Sequence, residues 1–161
     1  MMDKTDLEIV RLLQKDGRMS HEQISKEIHL SRPAIHDRIK RLESAGVIRG
    51  YTAQVDWDAL GFSLGAFIFT RVLGDCLPAA RKMLALGGDD AVVIDCHRVA
   101  GDWCLLVQAR ASSASALQRL MDELRSIPGV QSTMTTISLS TVLPEEESCI
   151  PALSPDLLRR N

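Results

Sequence analysis

The sequence predicts an α+β chain, an N-terminal winged helix-turn-helix followed by a ferredoxin-like βαββαβ domain. Three observations predict it. Helix-start signals stand at Thr5, Ser20 and Ser31, close together. The apolar spacing is helical up to about residue 46 and alternates from residue 64. Finally, Gly87-Gly88, Ala100-Gly101 and Pro128-Gly129 divide the second part into strand and helix lengths.

The elements follow in order. Thr5 and Glu8 have the spacing of a capping box, and Ile9, Val10, Leu12 and Leu13 give the helix that follows a buried stripe, with Gly17 at its stop. Ser20 and Gln23 repeat the box, and Ile24 and Ile28 continue the apolar face. Ser31 caps a third helix, whose first turn tolerates Pro33 because the nitrogens there lack partners. The turn Ile28-His29-Leu30-Ser31 joins the last two helices, and His29 is a residue type that tolerates a left-handed backbone. In LSRPAIHDRIKRLESAG, Ile35, Ile39 and Leu42 make a narrow stripe. Pro33, Asp37, Lys40, Arg41 and Ser44 fall opposite, with Arg32 and His36 flanking near the N-terminus. A helix glued to its own domain by one face and basic on the other is what the DNA major groove admits. Val47 to Ala53 has strand character broken by Gly50, as a wing does, and carries Arg49. Residues 1–53 form this unit, with ten Lys/Arg against eight Asp/Glu, while residues 54–161 hold nine against thirteen. Any polyanion-binding surface therefore belongs to the first third.

Residues 54–63 are a polar linker and residues 64–143 the second domain. Leu64–Leu73, Val92–Val99, Asp102–Ala109 and Val130–Leu143 read as strands, and Leu77–Leu86 and Ser115–Ile127 as helices. Residues 144–161 are an acidic, proline-broken tail expected to be partly disordered. If Val99 and Asp102 flank a two-residue turn, Ile94, Cys96, Leu105 and Val107 face the helices. Val93, His97, Cys104 and Leu106 face the other way, apolar enough to call for a partner chain.

Other chemistries find less support. No signal-peptide core or membrane span is written, so a cytoplasmic protein is expected. Cys76, Cys96, Cys104 and Cys149 show no CxxC spacing and are expected to be free thiols. Cys104 and His97 form no catalytic constellation without a third orienting group, so no enzyme is expected. Cys96 and His97 alternate across the sheet, which argues against a shared metal site, and no cofactor is expected.

The segments TDLEIVRLLQKDGRMS, LSRPAIHDRIKRLESAGVIRGY, VAGDW and IPGVQSTMTTISL, in this order, resemble the Lrp/AsnC family of transcription regulators over residues 3 to about 143. The resemblance implies a DNA-binding domain and a ligand-sensing domain. It also implies homodimers formed through the sheets, four of which assemble into an octamer, and a free amino acid held between dimers. On the DNA side the helix pattern points to Ser31, Arg32 and His36, with Arg32 and His36 at base edges, and to Lys40, Arg41 and Arg49 mainly at phosphates of double-stranded DNA, with Lys40 also able to reach a base. On the effector side the resemblance points to the turn Ala100-Gly101-Asp102-Trp103, with Thr133, Thr135 and Thr136 adding hydroxyls. Gly101 exposes backbone N–H groups to a carboxylate and Asp102 takes an ammonium. The family often carries Asp two residues after this Asp, where this chain has Cys104; an apolar amino acid is therefore favoured over a basic one. An architectural DNA-binding protein that senses nothing, and a metal- or redox-responsive regulator, are the alternatives.

Overall fold

The structure, a computed structural model, describes residues 2–140. The described residues form two compact units that divide between Gln54 and Val55. In the first, α1 (Lys4–Lys15), α2 (His21–Ile28) and α3 (Arg32–Ser44) enclose Ile9, Ile24, Ile35, Ile39 and Leu42, all buried. Ser20 and Gln23 make the reciprocal cap of α2, with bonds of 2.8 and 3.2 Å. Ser31 Oγ accepts the Ala34 N–H at 3.4 Å to start α3. Between them His29 adopts the left-handed conformation, φ 57° and ψ 39°, which turns the chain from α2 into α3.

Three local expectations are corrected. Helix α1 is capped by Asp3 and Asp6, not Thr5 and Glu8: the Asp3 carboxylate accepts the Asp6 N–H at 2.9 Å, and Asp6 accepts the Asp3 N–H at 3.0 Å. A carboxylate caps as well as a hydroxyl and also complements the positive end of the helix dipole. The stop of α1 is Asp16, with an extended backbone, and Gly17 adopts no left-handed angle. Val47 to Ala53 forms no strand. The N–H groups of Val47 and Ile48 instead both donate to the Leu42 carbonyl, at 2.9 and 3.2 Å. A ladder needs two strands, and the described residues of the first unit offer no second extended run to pair with this one.

The second unit runs β1 (Leu64–Val72), α4 (Leu77–Leu84), β2 (Ala91–Arg98), β3 (Leu105–Ala111), α5 (Ala114–Ser126) and β4 (Val130–Ser138). The sheet order is β2-β3-β1-β4, antiparallel at every step, so this is the expected βαββαβ arrangement. Ala66, Ile68 and Val72 of β1 and Leu105, Val107 and Ala109 of β3 pack with Ala79, Met83, Leu117, Leu120 and Leu124 of the helices. Phe67, Phe69, Leu106 and Met134 occupy the opposite face, where Met134 is 44% exposed.

The hairpin differs from its expected form in two ways. Val93 pairs with Ala109 and Asp95 with Gln108, so Ile94 is an extra residue in β2. The bulge places Val93 in the core, while Cys96 stays on the helix side and His97 on the open side. The turn is also longer than Ala100-Gly101. Val99 N–H donates to the Cys104 carbonyl at 3.0 Å, leaving Ala100 to Trp103 as the loop, and β3 begins only at Leu105. Cys104, expected on the open face, packs against the core. Strand β4 ends at Ser138, and the expected tail at 144–161, with Cys149, lies outside the described residues.

Among the described residues, Thr70 Oγ1 is a buried side-chain oxygen with no hydrogen-bond partner. A buried polar group left unmatched costs about 1–3 kcal/mol. Thr70→Val keeps the β-branched shape and removes the unmatched hydroxyl. It should stabilise the protein by about 1 kcal/mol, read as a rise of roughly 4–8 °C in the thermal midpoint of this unit.

Candidate functional site

Helix α3 carries four Lys/Arg side chains, and they divide into two sets. Arg38 Nη1 lies 2.7 Å from Asp3 Oδ2 and 2.7 Å from Asp6 Oδ1. Arg41 Nη2 lies 2.7 Å from both oxygens of Asp6. Asp6 is fully buried, so its charge must be matched inside the unit, and these two guanidiniums match it. Arg41, expected at a phosphate, is therefore committed to α1, although its side chain remains 56% exposed. Hydrogen bonds from Arg38, and then from the Asp6 N–H, hold the Asp3 carboxyl below the usual carboxylate range. The same Asp3 and Asp6 contacts push Arg38 further up.

The second set faces outward. Arg32, His36 and Lys40 are exposed along α3, and Arg49 is exposed beyond it. Arg32 has Glu22 within electrostatic reach; neither Lys40 nor Arg49 forms an ion pair among the described residues. Ser31 is exposed, with its hydroxyl engaged as the helix cap. Two residues not expected at this surface join it. Arg18 and His21 line a cleft of about 480 Å³ with His36, Lys40, Glu43 and Tyr51. The rings of His21 and His36 lie 5.3 Å apart, tilted by 57°. Tyr51 donates its hydroxyl to Glu43 at 3.0 Å. Burial, and then that bond, raise the Tyr51 phenol above its usual range. The short spacing from Arg18 to His21 is a signal that sequence reading can use; their approach to His36 is set by the turn at His29.

In the second unit, a cleft of about 590 Å³ is lined by Gly74, Asp75 and Cys76 on one side and Arg98, Val99, Ala100, Gly101, Trp103 and Cys104 on the other. Gly101 has φ 125°, a backbone that side-chain-bearing residues rarely adopt, so glycine is what allows this loop. Arg71 buttresses the loop: its Nε donates to the Asp102 carbonyl at 2.9 Å, and its guanidinium lies 5.3 Å from the Trp103 ring centre. Trp103 in turn lies 6.3 Å from Phe69. The Cys104 N–H donates to the Thr70 carbonyl at 3.0 Å, and its sulfur lies 3.5 Å from Val72 N. The Asp102 carboxylate is exposed.

The threonines are not gathered at this cleft. Thr133 Oγ1 accepts from Arg125 Nε at 3.1 Å, and Thr135 Oγ1 lies 3.6 Å from Met121 Sδ, both on the helix-covered face. Thr136 pairs with Phe67 on the opposite face. Within one protomer, Ala100, Gly101 and Trp103 share the cleft and the three threonines do not. Cys96, whose thiol is raised by burial and then by Asp95, is a poor nucleophile. Among the described residues no group of three or more His, Cys, Asp or Glu can hold a metal ion. No helix there is long and apolar enough to cross a membrane.

Three helices with a tight turn before an outward-facing basic helix, followed by a βαββαβ unit, have the make-up of a two-domain transcription regulator. The comparisons agree. The family model for a winged helix-turn-helix DNA-binding domain matches residues 2–49, and that for the Lrp/AsnC ligand binding domain matches residues 91–148. The HTH-type transcriptional regulator FL11 of Pyrococcus abyssi is 36% identical over 141 residues, covering 87% of this chain and 91% of that protein. A transcriptional regulator of Neisseria meningitidis, solved as an L-Met complex, superposes with a TM-score of 0.80 at 27% identity, covering 94% and 97% of the two chains. The feast or famine regulatory protein of M. tuberculosis, complexed with L-methionine, gives 0.79 at 32% identity, covering 90% and 97%. The chain belongs to the Lrp/AsnC family of transcription regulators, which are DNA-binding proteins and not enzymes.

The Asp6 contacts yield two expected outcomes. Asp6→Ala removes the charge that Arg38 and Arg41 share. It should cost roughly 3 kcal/mol, the low end for a broken buried pair, because both arginines can still reach water. Chemical denaturation of the full chain measures it. Asp3 titrates in the opposite sense to a histidine. Its lowered carboxyl contributes stability above about pH 4, lost as the pH falls below that. Asp3→Asn should therefore flatten the acid limb of the stability profile.

Proposed function

We propose that this regulator binds a two-fold-related pair of DNA half-sites as a homodimer, and that a free amino acid with an apolar side chain modulates its binding or assembly. The observation that carries the DNA reading is the division of charge on α3. Arg38 and Arg41 are spent internally, while Arg32, His36 and Lys40 project outward from a helix whose other face is buried. Arg32, at the helix start, meets base edges; His36, Lys40 and Arg49 meet phosphates, and Ser31 holds the helix start against the backbone. Arg41 serves the scaffold first. The cell compartment that suits this activity is the cytoplasm.

Dimerisation through the open sheet face would cover Phe67, Phe69, Leu106 and Met134. Four such dimers make the octamer that the family resemblance implies. The effector reading rests on the cleft beside Ala100, Gly101 and Trp103. Its lining combines backbone at Gly101, an indole wall and two thiols, with Arg98 and Asp75 at its rim for the charged ends of an amino acid. The two relatives solved with methionine support an apolar side chain. The threonines contribute only by way of a neighbouring subunit.

Arg32→Ala should cost about 1–3 kcal/mol in binding to a selected operator and relax its sequence preference. Lys40→Ala should weaken all sequences alike and reduce the salt slope by roughly one. Fluorescence anisotropy against selected and scrambled duplexes separates the two, and normal binding by the double variant would refute the assignment. For the effector, methionine, leucine and the aromatic amino acids should raise the thermal midpoint of the wild type. Asp75→Ala should lose that response while still binding DNA. No stabilisation by any of the twenty amino acids would leave an architectural role as the better account.

A further inference from the structure

We infer that Arg18 and His21, outside the recognition helix, form with His36 and Lys40 a binding site for a DNA backbone phosphate whose occupation takes up protons. This rests on the DNA reading above and adds to it two residues and a dependence on pH.

The geometry comes first. His21 opens α2 and His36 lies in the second turn of α3, and their rings approach to 5.3 Å at the mouth of one cleft. Arg18 reaches the cleft from the α1–α2 connection and Lys40 from one turn beyond His36. Neither is in an ion pair among the described residues, unlike Arg38 and Arg41 on the far side of the same helix. The carboxylate on the cleft wall, Glu43, is engaged by the Tyr51 hydroxyl at 3.0 Å. Four nitrogen-bearing side chains thus line one cleft against a single carboxylate, which the Tyr51 hydroxyl already engages. The ligand they fit is compact, singly negative and rich in acceptor oxygens, which describes a phosphodiester.

Protons follow from the same arrangement. A phosphate placed between the two imidazoles favours their protonated form, because its negative charge attracts the cation. The bound state then holds more protons than the unbound state, so affinity must fall as the pH rises. The titratable and charged groups facing the pair are Arg18 from the loop, Lys40 and Glu43 from α3, and Tyr51 from the segment after it. Of these residue types only histidine ordinarily changes charge between about pH 5 and 8. The phenol of Tyr51 is moved further from that window.

The test uses the full chain, a random-sequence duplex, constant ionic strength and EDTA throughout, since contacts with phosphate need no operator. Wild-type affinity should fall about three- to tenfold from pH 6 to pH 8, the effect of up to one proton per site. His21→Gln and His36→Gln should each reduce that dependence, and the double variant should bind with the same affinity across the range. Arg18→Gln should weaken binding at every pH and reduce the salt slope by roughly one, leaving the pH dependence in place. His36 is exposed and His21 half-buried, so thermal melts should show the variants folded. A pH dependence that survives the double substitution, or wild-type binding with none, overturns the phosphate site alone. Failure of the wild type to bind at any pH overturns the DNA reading itself.

Discussion

The buried carboxylate of Asp6 is the constraint around which the DNA-binding unit is arranged. It accepts the Asp3 N–H in the cap of α1 and takes the guanidiniums of Arg38 and Arg41 from α3. Such a cluster adds little net stability over an apolar replacement, because desolvating the charges offsets their attraction. What it supplies is orientation. Arg38 and Arg41 lie nearly one turn apart on α3, so holding both on one acceptor fixes the helix's rotation about its own axis as well as its distance from α1. The Ile35, Ile39 and Leu42 stripe would tolerate some rolling by itself; the paired guanidiniums do not. With α3 fixed in this way, Arg32, His36 and Lys40 have only one direction in which to project.

The second unit is organised by a different contact. The Ala100–Trp103 loop is tied to β1 through the Cys104 N–H on the Thr70 carbonyl and the Arg71 guanidinium on the Asp102 carbonyl. The Cys104 sulfur meets the backbone of Val72, so its polar contacts are made within the protomer. A carboxylate this close to the core would need a cationic partner to offset its burial. A thiol needs none. Cys104 therefore anchors the loop without adding a charge to the cleft, and Arg98 and Asp75 are the charged groups on its lining.

What the sequence made legible was local. The Ser20–Gln23 cap, the Ser31 cap, the left-handed His29 and the order of strands and helices are each encoded within a few residues. What it hid was carried by distance or by parity. Asp6 and Arg41 are 35 residues apart, and the helical wheel set Arg41 well away from the apolar stripe. A long side chain can cross that angle and reach back over the helix surface, which a wheel drawn through Cα positions does not show. The bulge at Ile94 turned Val93 to the core face against expectation, because a period of two has no means of announcing an extra residue. The wing-like run at Val47 had propensity without a partner strand. Of the site, the outward residues of α3 and the glycine loop were visible, whereas Arg18 and His21 come together with His36 only after the turn at His29 is made.

The division of charge on α3 also bears on why such a unit would work in copies. With Arg38 and Arg41 spent, one protomer offers a handful of cations to DNA, and the phosphate-derived part of its affinity is limited by how many counterions those few contacts release. Joining two units in a fixed geometry adds no contact to either. It makes the second engagement intramolecular, and the gain can exceed the affinity of one unit by orders of magnitude. The exposed Phe67 and Met134 and the half-buried Phe69 are an apolar surface of the kind that could supply the joint. On the proposed reading, an effector bound to the second unit would act through assembly at least as readily as through α3 itself. A change in how copies associate alters the multiplier, and the DNA-reading helix can stay rigid against Asp6 throughout.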